Sequence, residues 1–202
     1  DRSPSRGLGD VYKRQLPAVL GAELSLEPAP LTVLARTPEG YRRLSRLISR
    51  ARMEAGEKDA VSYPPLADIA AELQEHCFFL VGWEWAEHFD LLSERIKIDS
   101  MVLEYSCTQT PEDADHHAAL DNLPVPRAIA TARPAAATRD RARLAGAKLA
   151  LAQRLALVDA SPNSHPMGSP WLRSGDQMAQ LLPDRPEPVS YTHLRAHETD
   201  SY

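Results

Sequence analysis

The chain alternates between short apolar runs and longer segments in which apolar residues recur every three or four positions. Four runs rich in β-branched, aromatic or aliphatic side chains predict buried strands at 31–36, 77–81, 101–105 and 127–131. The segments between them have helical spacing. Because strands separated by helices favour parallel β-α-β units, we expect an α/β fold whose sheet is buried on both faces.

The helix signals are strongest after the first run. Thr37, Pro38 and Glu39 supply an N-cap, a proline at the first helical position and an acid in the first turn, and predict a helix over 38–54 that ends at Gly56. Similar patterns predict helices at 66–73, around 85–96, from Thr110, at 138–158 and from Ser174, with a loop over 159–170.

Composition narrows the class of protein. The 202 residues, 43% of them hydrophobic, fit one ordinary domain. No apolar run is long enough to span a membrane, and two cysteines, Cys77 and Cys107, cannot form a disulfide scaffold. We therefore expect a cytoplasmic protein without a membrane partner. The formal charge of -5 is unfavourable for a free-standing nucleic-acid binder, which needs clustered positive charge.

Both ends differ in character from the rest of the chain. Residues 1–15 and 190–202 lack helical or strand periodicity and resemble translated sequencing-adapter sequence. We treat them as non-native tails, with an ordinary disordered terminus as the alternative. The predicted domain is then 16–189.

The densest group of potential metal ligands is Asp113, Asp115, His116 and His117. On a helix, Asp113 shares a face with His116 or His117 and could help to bind a divalent cation. A solvated first turn, in which the helix dipole favours acids, is the favoured interpretation. His76 lies next to the buried strand residue at 77, and adjacent strand residues point to opposite faces, which argues against a joint site.

Two further patterns have structural and functional interpretations. Trp83 and Trp85 could line a pocket, although core packing is favoured. Arginine stripes could bind phosphate, although a solvated helix face offset by nearby acids is favoured. The stripes are Arg42, Arg46 and Arg50, and then Arg139 and Arg143. No nucleotide-binding loop, nucleophile elbow or zinc-binding motif is present in the sequence.

The order of four segments is more specific. Residues 21–26 read GAELSL, 31–36 read LTVLAR, 38–49 read PEGYRRLSRLIS, and 171–184 read WLRSGDQMAQLLPD. This series resembles the polymerase-and-histidinol-phosphatase (PHP) domain of bacterial DNA polymerase III alpha-type subunits, in their error-prone branch. The resemblance covers roughly residues 18–187. It implies a distorted α/β barrel, incomplete here because the opening strands of the family are missing, as in a truncated fragment.

The resemblance also implies a metal site, but this chain lacks several of the ligands that the family has there. Glu23 lies at the position of a metal-ligating glutamate of the family. A later family motif supplies an Asp and a His, where this chain has Arg133 and Ala135. The family often has Gly-Cys where Gly82 and Trp83 stand. A cation and a methyl group cannot ligate a metal, so Glu23 is the one metal ligand expected and no catalytic or cofactor-binding residue is predicted.

The resemblance favours one function and leaves two alternatives. The expected function is that of a non-catalytic scaffold within an error-prone DNA polymerase, whose polymerase part would use Mg²⁺. Expected partners are the remaining polymerase domains, DNA through them, and other replication or mutagenesis subunits. No cofactor is expected in this fragment; zinc or manganese would be expected with an intact site. The alternatives are a free-standing PHP-type phosphoesterase with zinc or manganese, and a generic α/β interaction module.

Overall fold

The computed structural model describes residues 19–56, 60–157 and 171–182. They form a five-stranded sheet with helices and two 3-10 turns. The strands are β1 (Gly21–Leu24), β2 (Leu31–Ala35), β3 (Cys77–Val81), β4 (Met101–Ser106) and β5 (Ala128–Thr131). The α-helices are α1 (Pro38–Ala55), α2 (Leu66–Leu73), α3 (Phe89–Ser93), α4 (Asp113–Asp121), α5 (Arg139–Gln153) and α6 (Gly175–Leu181). The 3-10 helices are Trp83–His88 and Ile98–Ser100.

The strands follow one another across the sheet in the order β1-β2-β3-β4-β5. The pairs β3–β4 and β4–β5 are parallel, as predicted, whereas β1–β2 and β2–β3 are antiparallel. The expectation of parallel β-α-β units is therefore wrong for β2 and β3. Two helices instead of one separate β2 from β3, and they return the chain to the end at which β2 finished. The Arg36 N–H, just after β2, donates to the His76 carbonyl, just before β3, at 2.9 Å.

The expected barrel is not seen in the described residues. Their sheet is open, with β1 and β5 at its two edges, so the PHP-type barrel stays a prediction. Strand β1 was absent from the predicted strands, since four residues that begin with glycine make no apolar run. A glutamate breaks the segment as well.

Helices α1 and α2 cover one face of the sheet and form the main core. Leu47 of α1, Ile69 of α2 and Phe79 of β3 are all fully buried there. A smaller cluster on the opposite face contains Phe78, Leu80, Val102 and Ile129. All five residues of β3 are buried, so the centre of the sheet is covered on both faces, as its continuous apolar run predicts.

Helix α1 has the predicted ends. Thr37 caps it by accepting a hydrogen bond from the Gly40 N–H at 3.0 Å, and Gly56 ends it in the left-handed conformation with φ 69°. Gly40 also allows close packing, because a Cβ there would lie 2.2 Å from the His76 carbonyl oxygen. The start of α1 is thereby fixed against the start of β3.

The later helices agree only in part with their predicted bounds. Helix α5 ends at Gln153, before the predicted 158, because Arg154 adopts a left-handed conformation and the Leu155 N–H bonds back to Ala150. The helix predicted around 85–96 is a 3-10 turn followed by the short α3. Ser174 caps α6 in a reciprocal capping box with Gln177, as predicted. The whole of the predicted 159–170 loop lies outside the described residues. No helix in the described ranges is long and apolar enough to cross a membrane.

Candidate functional site

Polar side chains gather where the three parallel strands end. Glu84 follows β3, Glu104 lies within β4, Thr131 ends β5, and Arg133 stands two residues later. We call these four residues the carboxyl-edge cluster. In open α/β sheets, ligands bind at this edge because the loops that leave parallel strands converge there. A functional site is therefore expected at this edge of the sheet.

Arg133 links the members of the carboxyl-edge cluster. Its Nη1 donates to Glu84 Oε1 at 2.9 Å, and its Nη2 donates to Glu104 Oε2 at 3.3 Å. The Thr131 hydroxyl donates to the other carboxylate oxygen of Glu104 at 2.7 Å. Glu104 is only 7% exposed. A buried carboxylate needs hydrogen-bond partners, and Arg133 and Thr131 each donate one hydrogen bond to Glu104.

Two backbone features hold this arrangement. Arg133 has φ 39°, which side chains other than glycine seldom adopt. Gly82 lies so close to the cluster that an added Cβ would be 2.5 Å from a Glu84 carboxylate oxygen and 3.3 Å from Arg133 Nη2.

Burial lowers the pKa of Arg133, but Glu104 and Glu84 outweigh that effect, and the net pKa is raised. The guanidinium stays charged between its two carboxylates.

This donor set does not fit a metal centre with several ions. A guanidinium has no lone pair to donate, and here it already engages both carboxylates. Ala135, where the resemblance to the PHP family implies a histidine, is exposed and carries no donor. Among the described residues, no group of three or more His, Cys, Asp or Glu side chains could hold a metal ion.

Glu23 lies apart from the carboxyl-edge cluster. It is exposed on β1, opposite Thr32, on the sheet face that carries Glu104. Strands β2 and β3 separate β1 from β4, and at about 4.8 Å per strand the two carboxylates are roughly 14 Å apart across the sheet. One ion could not contact both. The role of Glu23 as a metal ligand stays a prediction.

The acids and histidines of α4 do not converge on a common point. Asp113 accepts hydrogen bonds from the Thr108 hydroxyl at 2.6 Å and the Gln109 N–H at 2.7 Å, and so it fixes the loop before the helix. His117 Nε2 lies 2.8 Å from the Ser106 carbonyl oxygen, and the His116 ring faces away, against Trp83. The favoured interpretation, a solvated first turn, is right for the exposed Asp115. It is incomplete for Asp113, which is half-buried and hydrogen-bonded to the preceding loop.

The two tryptophans differ in their surroundings. Trp85 is buried in the core, and its Nε1 donates to the Pro30 carbonyl at 2.8 Å. Trp83 is 38% exposed and stacks on the His116 ring, with centroids 3.8 Å apart and planes 7° from parallel. Core packing was therefore the right interpretation for Trp85 but not for Trp83.

The arginine stripe on α1 is paired with nearby acids, as favoured from the sequence, although four arginines share two glutamates. Glu39 pairs with Arg42, Arg43 and Arg46, and Arg50 pairs with Glu72. These exposed pairs stabilise the helix face only slightly, and they reduce its attraction for phosphate. On α5, the other two arginines of the pattern, Arg139 and Arg143, are exposed.

Neither cysteine belongs to a reactive site. Cys77 and Cys107 are both buried and unpaired. Burial raises the pKa of each thiol to about 11, so little thiolate is present near neutral pH. His76 contacts Thr37 instead of its neighbour Cys77, with Nδ1 3.4 Å from the hydroxyl, as expected for opposite faces of a strand.

No family model matches this chain. The error-prone DNA polymerase of Corynebacterium diphtheriae is 52% identical over 168 residues, which cover 81% of this chain and 16% of that protein. This chain is similar to error-prone DNA polymerases. That of Corynebacterium efficiens is 48% identical over 83% of the chain, and that of Mycobacterium tuberculosis 34% identical over 85%.

The similarity involves only part of these polymerases. The chain spans about one sixth of the length of the curated relatives it matches. It thus supports a function related to DNA polymerases.

Proposed function

We propose that this chain is a segment of an error-prone DNA polymerase, that it corresponds to part of a PHP domain, and that it acts there as a non-catalytic scaffold. The observation that carries the proposal is the identity of 43–52% to four Corynebacterium polymerases over at least 81% of the chain. Nucleotidyl transfer with Mg²⁺ then belongs to carboxylates elsewhere in the longer protein. DNA and other replication or mutagenesis subunits are partners of that whole protein.

The carboxyl-edge cluster supports the non-catalytic role. Hydrolysis of a phosphate ester by a metal-dependent enzyme needs ligands that converge on the ions and leave a position for water. Here Arg133 occupies the carboxylates of Glu84 and Glu104, and Glu23 lies three strands from Glu104. The cluster cross-links β5 to β4 and to the turn after β3. Such cross-links suit a rigid scaffold. A metal-dependent catalyst would instead need these carboxylates free to bind the metal ions.

A chimeric polymerase tests the proposal. The matching segment of the Corynebacterium diphtheriae error-prone DNA polymerase is replaced by residues 19–182 of this chain, and primer extension with Mg²⁺ is measured on intact and damaged templates. We expect extension close to that of the parent enzyme. A chimera that melts cooperatively but extends no primer contradicts the proposal. A second chimera with Gly40→Val is the matched control for a segment that cannot pack.

The phosphoesterase alternative has its own test. The 202-residue chain and the chimera are analysed for bound zinc and manganese and assayed for phosphomonoester hydrolysis with Mn²⁺. We expect no stoichiometric metal and no hydrolysis that depends on Glu23. Tightly bound metal together with turnover that Glu23→Ala abolishes would establish the alternative and show that the site is intact.

A further inference from the structure

Two arginines meet at the end of the sheet opposite the carboxyl-edge cluster. Arg36 directly follows β2 and Arg127 directly precedes β5, so both lie at the end where β3 begins. Their guanidinium carbons lie 4.6 Å and 5.6 Å from the centroid of the Phe78 ring. Both are close enough for a cation–π contact, and they are no more than about 10 Å apart. We call Arg36 and Arg127 the amino-edge pair.

The fold holds the amino-edge pair in place. The Arg36 N–H donates to the His76 carbonyl at 2.9 Å, which fixes the backbone as it leaves β2. Arg127 Nη1 donates to the Asp99 carbonyl at 2.6 Å. Phe78, the ring that both guanidiniums contact, is 5% exposed and packs in the smaller core cluster. The two cations are therefore positioned by the protein itself.

No carboxylate neutralises the amino-edge pair in the part of the chain that the structure describes. Neither arginine forms an ion pair there. Glu75 precedes β3 at the same end of the sheet, but it pairs with Lys97. Arg127 bonds to the backbone of Asp99 and not to its carboxylate. The pair thus differs from the arginine stripe on α1 and from Arg133, whose charges are all paired with glutamates.

The chemistry of the pair suits phosphate. A guanidinium presents five N–H donors in a planar fork that matches phosphate oxygens, and the bond to Asp99 uses one donor of Arg127. Arg127 is exposed and Arg36 is half-buried, so a ligand can reach both from solvent. One DNA strand carries a phosphate for about every 3.4 Å of its axis. Arginines this close together can therefore contact one phosphate or two phosphates of the same strand.

We infer that the amino-edge pair binds the phosphodiester backbone of DNA in the longer polymerase. The inference rests on the proposed function and deepens it, because that function makes DNA a partner of the whole protein without assigning a contact to this segment. The contact is electrostatic and independent of base sequence, since phosphates carry no sequence information. Phe78 holds the guanidiniums and does not itself contact DNA.

The salt dependence of DNA binding tests the inference. The affinity of the chimeric polymerase described above for a primer–template is measured from low to high salt, with and without Arg36→Gln and Arg127→Gln together. Each phosphate contact contributes about 0.9 to the slope of log affinity against log salt. The double variant should therefore lower the slope by about 0.9 for one shared phosphate or about 1.8 for two, equally on unrelated sequences. Arg42→Gln with Arg46→Gln, whose arginines both pair with Glu39, is the matched control and should not change it.

Lysine variants separate the charge from the fold. Arg36→Lys with Arg127→Lys keeps both cations and should keep the slope that the glutamine variant loses. An unchanged slope in the glutamine variant overturns the inference, and primer extension by the starting chimera leaves the proposed function standing. A chimera that extends no primer but loses the slope contradicts the proposed function alone. An unchanged slope with a melting temperature lowered in the chimera, but not in the 202-residue chain, assigns the pair to an acidic protein segment and also overturns the inference.

Chemical protection gives a test that needs no variant. The chimera is treated with an arginine-specific dicarbonyl reagent, with and without primer–template, and the modified residues are identified by mass spectrometry. We expect DNA to reduce the modification of Arg36 and Arg127 several-fold and to leave that of Arg42 unchanged. Equal modification of the amino-edge pair with saturating DNA and without it overturns the inference.

Discussion

Removal of the Arg133 guanidinium should cost more stability than any other change at the carboxyl edge. Arg133→Met keeps most of the side-chain volume but leaves Glu104, 7% exposed, with the Thr131 hydroxyl as its remaining partner. Breaking a buried ion pair by removing one partner costs about 3–5 kcal/mol. The Arg133 side chain is 37% exposed, so water relieves part of this loss, and we expect about 1.5–3 kcal/mol.

The assay is urea denaturation of the 202-residue chain and of three variants. Arg133→Met, Glu104→Gln and the double variant complete a cycle with the starting protein. Glutamine can still accept the Thr131 hydrogen bond but needs no cation, so the double variant should recover part of the loss. A coupling free energy indistinguishable from zero would refute the reasoning, because it would mean that the ion pair contributes nothing. Arg133→Lys, which keeps the charge but cannot bridge both carboxylates, should fall between the extremes.

Three further predictions concern other parts of the fold. Cys77 and Cys107, each with a pKa raised to about 11 by burial, should not react with a thiol reagent at pH 8 until the chain is unfolded in denaturant. The pKa of Glu39 is lowered by its hydrogen bonds to two arginines, so its stabilisation is present above pH 4.5 and is lost as the pH falls through the lowered value; Glu39→Gln should flatten the stability curve in that acid range. Gly40→Ala should destabilise the chain by about 1–3 kcal/mol in chemical denaturation, because its Cβ would strike a carbonyl oxygen, whereas Gly146→Ala, with only a side chain 3.8 Å away, should not.

Local signals in the sequence were sufficient for several elements. Thr37, Pro38 and Gly56 determine the ends of α1 through contacts within a few residues, and each forms as predicted. The capping box at Ser174 is equally local. The parallel pairing of β3, β4 and β5 follows from their apolar runs and the helical segments between them.

The antiparallel direction of β2 against β3 could not be predicted from local sequence signals. It depends on how α1 and α2 pack on the sheet over the 41 residues between Ala35 and Cys77, and periodicity does not encode that packing. The short β1 forms because β2 is beside it. Its sequence alone does not favour a strand.

The carboxyl-edge cluster was only half predictable. The family resemblance indicates Arg133 as a cation where a metal ligand would be expected, but the two partners of Arg133 lie 29 and 49 positions away in the sequence. One signal was present, since Glu104 interrupts the apolar run of β4, and a carboxylate inside a buried strand requires a partner. The stacking of Trp83 on His116 had no signal, because it depends on where the turn after β3 meets α4.

The order of the strands has a consequence for how the sheet assembles. Each of the five described strands pairs with its neighbours in the sequence, so none of them has to enter between two that are already paired. The sheet can therefore grow outward from β1 to β5 as the ribosome releases the chain, with each strand adding to an edge already formed. Each addition closes only the connection between consecutive strands, the longest being the 41 residues between Ala35 and Cys77, so no step has to close a loop that spans several strands. Arg133 follows β5, the last of the described strands. In this order of assembly, its two ion pairs form only after all five described strands have paired.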